Sequence, residues 1–186
     1  MRSAVTTTVA IKRIRSKGGD PGSKNDPLRE LANEVMVLTQ PKLRANENII
    51  DLHCLVWEDR GSDVALWPSL VMEFCPITLA ELQAQIPTPL GKTIKALLIQ
   101  GIGNGMDALH EEDFIHGDLK SENILIQFEG EAVMVPKISD FGSAILVWES
   151  ENLVPVGGTD PWRAPEVSFK DQCKVFVCLI ATAQLT

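Results

Sequence analysis

The sequence predicts an α+β fold, and three observations carry that reading. Runs rich in β-branched and apolar residues at 5–14, 52–58 and 70–75 read as strands. Longer stretches at 28–43 and 92–110 repeat apolar residues every three or four positions, as amphipathic helices do. Segments 123–127 and 133–138 alternate on either side of Phe128-Glu129-Gly130-Glu131, the pattern of an antiparallel hairpin.

At 186 residues the chain fits one domain. Its 17 Lys and Arg face 25 Asp and Glu, and the net charge of −8 argues against nucleic acid or an anionic membrane as the main partner. Cys54, Cys75, Cys173 and Cys178 show no paired C-x-x-C spacing and no His at zinc-site spacing, so reduced core cysteines are expected. No cationic stretch followed by an apolar core opens the chain, and the apolar run 175–183 falls short of the roughly 20 residues that span a bilayer. A cytoplasmic or nuclear location is the expectation.

Taken in order, VTTTVAIKRI (5–14) is a strand that turns basic at its end. SKGGDPGSKNDP (16–27) is built of turn-formers and makes a loop. A helix over 28–43 carries Glu34 in its middle, with Glu30 one turn earlier. After the strands at 52–58 and 70–75, a short helix at 79–86 ends where Pro87-Thr88-Pro89 removes backbone donors. Within the next helix, Gly101-Ile102-Gly103-Asn104-Gly105 superficially suggests a phosphate loop, but no strand precedes it. Its small residues are expected to allow close helix packing instead.

The most informative stretch is FIHGDLKSENILI (114–126), a polar segment bracketed by apolar runs, hence a loop between two buried strands. It offers a carboxylate at Asp118, an ammonium at Lys120 and an amide at Asn123. A carboxylate takes a proton from a hydroxyl, an ammonium holds a phosphate oxygen, and an amide oxygen ligates a hard cation; phosphoryl transfer needs all three.

These residues resemble the catalytic loop of eukaryotic protein kinases, H-R-D-L-K-x-x-N, with Gly117 in place of the Arg. The order of the other segments strengthens the likeness: Val9-Ala10-Ile11-Lys12, then Glu34, then Asp140-Phe141-Gly142 and Ala164-Pro165-Glu166. The resemblance implies a protein serine/threonine kinase, dependent on ATP and Mg2+, that acts on a protein hydroxyl. Asp118 and Lys120 are implied as catalytic residues, and Asn123 and Asp140 as magnesium ligands. Lys12, Glu34, Ala10, Met72, Glu73, Cys75 and Leu125 are implied at the nucleotide, with Met72 as gatekeeper and Glu73 and Cys75 offering backbone groups to adenine. Lys120, and Gly158-Thr159 before Ala164-Pro165-Glu166, point to the Ser/Thr branch.

The likeness covers roughly residues 5–168. It implies a two-lobed kinase-like fold truncated at both ends: a small lobe over about 1–72, a hinge at 73–78, a partial large lobe at 79–168 and a degraded tail at 169–186. The glycine-rich phosphate loop and several large-lobe helices have no counterpart, so apolar faces of the helix at 92–110 are expected to lie open. Between Asp140 and Trp162 there is no Lys or Arg, and Gly117 removes the loop cation. A phosphate at Ser143 or Ser150 would therefore find no local partner, and activation by phosphorylation there is not expected. The alternative reading is a catalytically inactive kinase fragment or pseudokinase serving as a binding module.

Overall fold

The computed structural model describes residues 8–13, 27–57, 68–86, 90–130, 133–147 and 158–163. The first strand, β1 (Val9–Arg13), pairs antiparallel with β3 (Pro68–Glu73), which pairs in turn with β2 (Leu52–Trp57), so the sheet order is β1-β3-β2. Register sets Lys12 opposite Leu70 and Ala10 opposite Met72.

The helix expected over 28–43 is two helices. Helix α1 (Pro27–Leu38) ends before Pro41, which lacks the N–H an interior helix residue must donate and instead opens the short helix α2 (Pro41–Arg44). The buried stripe of α1 is Leu31, Glu34, Val37 and Leu38, so a carboxylate sits in line with leucines and valine.

The chain leaves the first sheet at Glu73 and enters a second through β4 (Ile77–Thr78). Thr78 caps α3 (Leu79–Gln85): its hydroxyl accepts from the Glu81 N–H, while the Glu81 carboxylate accepts from the Thr78 N–H. The 20-residue helix α4 (Lys92–Glu111) buries Leu98, Gly101, Gly105 and Leu109. Next come β5 (Phe114–Ile115), a 3-10 turn at Ser121–Asn123, and the hairpin of β6 (Ile124–Glu129) and β7 (Val133–Ile138). A second 3-10 turn at Phe141–Ser143 leads to β8 (Ile145–Leu146), which pairs with β5. The second sheet has the order β4-β6-β7.

Gly101 and Gly105 are where α4 meets β7. A Cβ on Gly101 would lie 2.6 Å from the Pro136 ring, and one on Gly105 would lie 2.8 Å from Ile138 and 2.9 Å from the Asn48 carbonyl oxygen. Gly103, on the far side, has open space. Gly101 and Gly105 serve packing, as the helical periodicity implied.

One apolar core joins the two sheets and includes Leu38, Leu70, Leu109, Ile126, Ile138 and Phe141. The junction is stitched by backbone: Ile138 N–H donates to Asn48 O at 2.8 Å, and Ile50 N–H to Ile138 O at 3.0 Å. On α4, Ile94, Leu97 and Ile99 are exposed, as expected for its uncovered face. Cys54 is a correction: it is exposed rather than in the core, because β2 is an edge strand whose register slips between Leu52 and Cys54. Cys75 is half-buried, while Cys173 and Cys178 lie outside the described residues. No described helix is long and apolar enough to cross a membrane.

Candidate active site

Two polar groups meet at the junction between the sheets. In the first, Lys12 Nζ donates to both carboxylate oxygens of Glu34, at 2.7 and 2.9 Å, and to Asp140 Oδ1 at 2.7 Å. Burial opposes the Lys12 charge, yet the carboxylates of Glu34 and Asp140 outweigh it and raise its pKa. Burial pushes the Glu34 carboxyl up while Lys12 pulls it down. Burial prevails and raises the Glu34 pKa above the ordinary value, and the short two-point hydrogen bond from Lys12 holds the pair in its ionised form. Of the two candidate glutamates it is Glu34 that pairs; the Glu30 side chain lies against Gly142.

In the second group, Lys120 Nζ donates to Asp118 Oδ2 at 2.7 Å and to Thr159 Oγ1 at 2.9 Å, and the Thr159 hydroxyl donates to Asp118 Oδ1 at 2.8 Å. Partial burial works to raise the Asp118 pKa, but hydrogen bonds from Lys120 and Thr159 prevail and lower it. Asp118 is a carboxylate at neutral pH, with one oxygen toward each donor. Lys120 is held protonated, first by its hydrogen bond to Asp118.

The two groups are tied by backbone. Asn123 Nδ2 donates to Asp118 O at 2.8 Å, and Asn123 O accepts from both the N–H and the hydroxyl of Ser139 at 2.9 Å. His116 Nδ1 accepts the Asp118 N–H at 3.3 Å, which leaves Nε2 protonated to donate to Ser139 O at 3.0 Å. The imidazole tilts against Phe141, with ring centroids 5.1 Å apart. Burial lowers its pKa and keeps it neutral.

Backbone shape serves the same end. Asp140 adopts φ 64, a left-handed turn that a short carboxylate side chain tolerates better than most, and Gly117 adopts φ 81. Asn33 Nδ2 also donates to Gly142 O at 2.9 Å, fixing α1 against the turn after Asp140.

The residues expected at adenine are spread over both sheets. Ala10 and Met72 are register partners in the first sheet, and Leu125 lies in β6 of the second, opposite Thr78. The Glu73 N–H donates to Asp51 O at 3.0 Å. The Cys75 thiol is pushed up to about 11, by burial first and then by Glu73, so it remains a neutral thiol. Ala164-Pro165-Glu166 and Ser150 lie outside the described residues.

A family model described as protein kinase domain matches residues 1–175. The chain belongs to the protein kinase family. Serine/threonine-protein kinase TAO2 of Homo sapiens is 32% identical over 159 residues, covering 86% of this chain and 11% of that protein. TAO1-B of Xenopus laevis is 37% identical over 159 residues, 86% of this chain and 14% of that protein. TAO3 of the same frog is 30% identical over 165 residues, 89% of this chain and 16% of that protein. The kinase chain thus spans 11% to 16% of the length of these curated relatives. They place it in the serine/threonine branch, and the antiparallel sheets and helices are those of a partial protein-kinase-like α+β fold.

Three participants escaped the motif reading of this kinase chain. Thr159 stands in the sequence only as half of a Gly-Thr pair, and its hydroxyl bridges Asp118 and Lys120. Ser139, next to Asp140, holds Asn123. Lys137 reaches the Glu73 carboxylate from the other sheet.

Proposed function

We propose that this chain is catalytic-domain sequence of a protein serine/threonine kinase, transferring the γ-phosphoryl group of ATP to a protein Ser or Thr hydroxyl in a magnesium-dependent reaction. The observation that carries the reading is the Asp118 carboxylate held ionised between Lys120 and the Thr159 hydroxyl. On this reading Thr159 stands where an acceptor hydroxyl would: its O–H donates to Asp118 Oδ1 at 2.8 Å, and the Lys120 ammonium lies 2.9 Å from the hydroxyl oxygen.

On this reading the acceptor hydroxyl replaces Thr159 as donor to Asp118, its oxygen bonds to the γ-phosphorus, and the bond to the β-phosphate oxygen breaks to release ADP. Asp118 takes the hydroxyl proton. General-base positioning of this kind contributes about 10²- to 10⁴-fold. Lys120 steadies the transferring phosphoryl group, and Lys12, oriented by Glu34, holds the non-transferring phosphates. Ala10, Met72 and Leu125, with backbone groups of Glu73 and Cys75, take the adenine.

Magnesium, when bound, supplies charge neutralisation at the phosphates. Asn123 and Asp140 are the residues that would hold it. The donor set fits: a carboxylate at Asp140 and an amide oxygen at Asn123 are the hard oxygen ligands that magnesium takes. Two oxygen donors that rely on phosphate and water for the rest are typical of magnesium. Asn123 turns its Nδ2 to Asp118 O, so the amide oxygen is the atom left for a cation.

The proposed layout is a small lobe at 1–72, a hinge at 73–78, a partial large lobe at 79–168 and a tail at 169–186, in a cytoplasmic or nuclear protein. A second reading, a kinase-like binding module without turnover, draws on the exposed Ile94, Leu97 and Ile99 of α4, a surface suited to a partner. Transfer of labelled γ-phosphate to a generic protein substrate separates the two. Label lost in Asp118→Asn supports the enzyme, and a folded wild-type chain that transfers none supports the module.

A further inference from the structure

Glu73 is the last residue of the first sheet, and Lys137 lies in β7 of the second, three positions before Asp140. Their side chains meet across the junction: Lys137 Nζ stands 2.9 Å from Glu73 Oε1 and donates to Glu47 O at 3.0 Å. Glu73 Oε1 also accepts the Asp51 N–H at 2.8 Å, and the Glu73 N–H donates to Asp51 O at 3.0 Å. Both side chains are largely buried, 12% and 19% exposed. Cation and carboxylate each have a second partner, as a shielded ion pair requires if it is to hold a fixed geometry.

The consequence is mechanical. Residues 74–76 are the strip of backbone between the sheets, entered at Glu73, and Asp140 is the carboxylate that meets Lys12. Lys137 connects the two through one strand: its ammonium grips the strip, and three residues further its strand delivers Asp140. We propose that Lys137 is a positioning residue that sets the distance between the adenine-binding strip and the phosphate end of the site, and so selects for ligands that reach both ends. This rests on the proposed nucleotide site.

The test compares a ligand that spans both ends with one that occupies a single end. Binding of ATP with Mg2+ and of adenosine is measured by calorimetry on the wild-type chain, Lys137→Met, Lys137→Arg and Lys137→Gln. Lys137→Met is expected to weaken ATP about tenfold while leaving adenosine within about twofold, since adenosine needs only the strip. Lys137→Gln should show the same selective loss, and Lys137→Arg, which keeps the cation, should bind ATP much as wild type does.

ATP and adenosine weakening equally, or neither changing, would overturn the positioning role. Should Lys137→Met not fold, Lys137→Gln decides by the same comparison. A wild-type chain that binds neither ligand overturns the nucleotide site itself, and this proposal with it; a wild type that binds both while the variants show no selectivity overturns only this proposal.

Discussion

Lys12 and Asp140 are 128 positions apart in the chain and 2.7 Å apart in the fold. The ammonium joining them is also gripped by Glu34, whose side chain is only 3% exposed. One cation therefore serves a buried carboxylate and an open one, and the two partners respond differently to its loss.

Replacing Lys12 with Met strands the Glu34 carboxylate among leucines. The expected loss of stability is about 1–3 kcal/mol, less than for a fully enclosed pair because Lys12 itself is partly open to water. Glu34→Gln leaves Lys12 its bond to Asp140 and should cost about 1 kcal/mol or less. Urea unfolding of both variants checks the asymmetry, and equal losses would contradict it.

The glycines of α4 sort by what they face. Gly101→Ala and Gly105→Ala push a methyl into Pro136 or the Asn48 carbonyl and should destabilise by about 1–3 kcal/mol. Gly103→Ala meets open space and should stabilise by up to about 1 kcal/mol through helix propensity. Thermal unfolding of the three variants reads the sign directly.

His116 makes stability fall on the acid side. Burial holds its folded pKa below the ordinary 6.5, so the unfolded chain takes up a proton that the folded chain refuses. Its contribution is complete above pH 6.5 and declines as the pH drops below that value, at no more than about 1.4 kcal/mol per pH unit. His116→Phe should lose stability at neutral pH, along with the hydrogen bond to Ser139, and show a shallower decline between about pH 8 and about pH 5. Denaturant titrations across that range compare the slopes.

The sequence that follows Asp140 offers a phosphate no local cation. It holds no Lys or Arg before Arg163, and Arg163 is occupied by Gly158 O and Asp160. Ser143→Glu and Ser150→Glu should leave the phosphoryl-transfer rate within about twofold of wild type. A gain of tenfold or more in either would show that a cation from elsewhere does the clamping.

Motif order located the charged residues because each stands in a short segment whose chemistry is carried by residue type. What spacing could not decide was which face of a helix is buried. Glu30 and Glu34 are one turn apart, and only the packed stripe of Leu31, Val37 and Leu38 singles out Glu34. The helix expected to run on to Leu43 ended early because an apolar residue at the right interval does not offset the missing N–H of Pro41. Cys54 looked like core because cysteine usually is, and its place on an edge strand depends on sheet order, which local pattern does not encode. Thr159 and Lys137 were missed for a related reason: each acts on a residue in a distant element, and only register and loop placement bring the partners together.

The central claim is that Lys12, Glu34, Asp118, Asn123 and Asp140 surround a magnesium-bound triphosphate. Its most direct test is ATP affinity measured with Mg2+ and with EDTA, on the wild-type chain and on Asp140→Asn. The account predicts that magnesium tightens ATP binding about tenfold or more in the wild type and that the gain disappears in Asp140→Asn. ATP affinity indifferent to magnesium in the wild type, or a magnesium effect that survives in the variant, would contradict it.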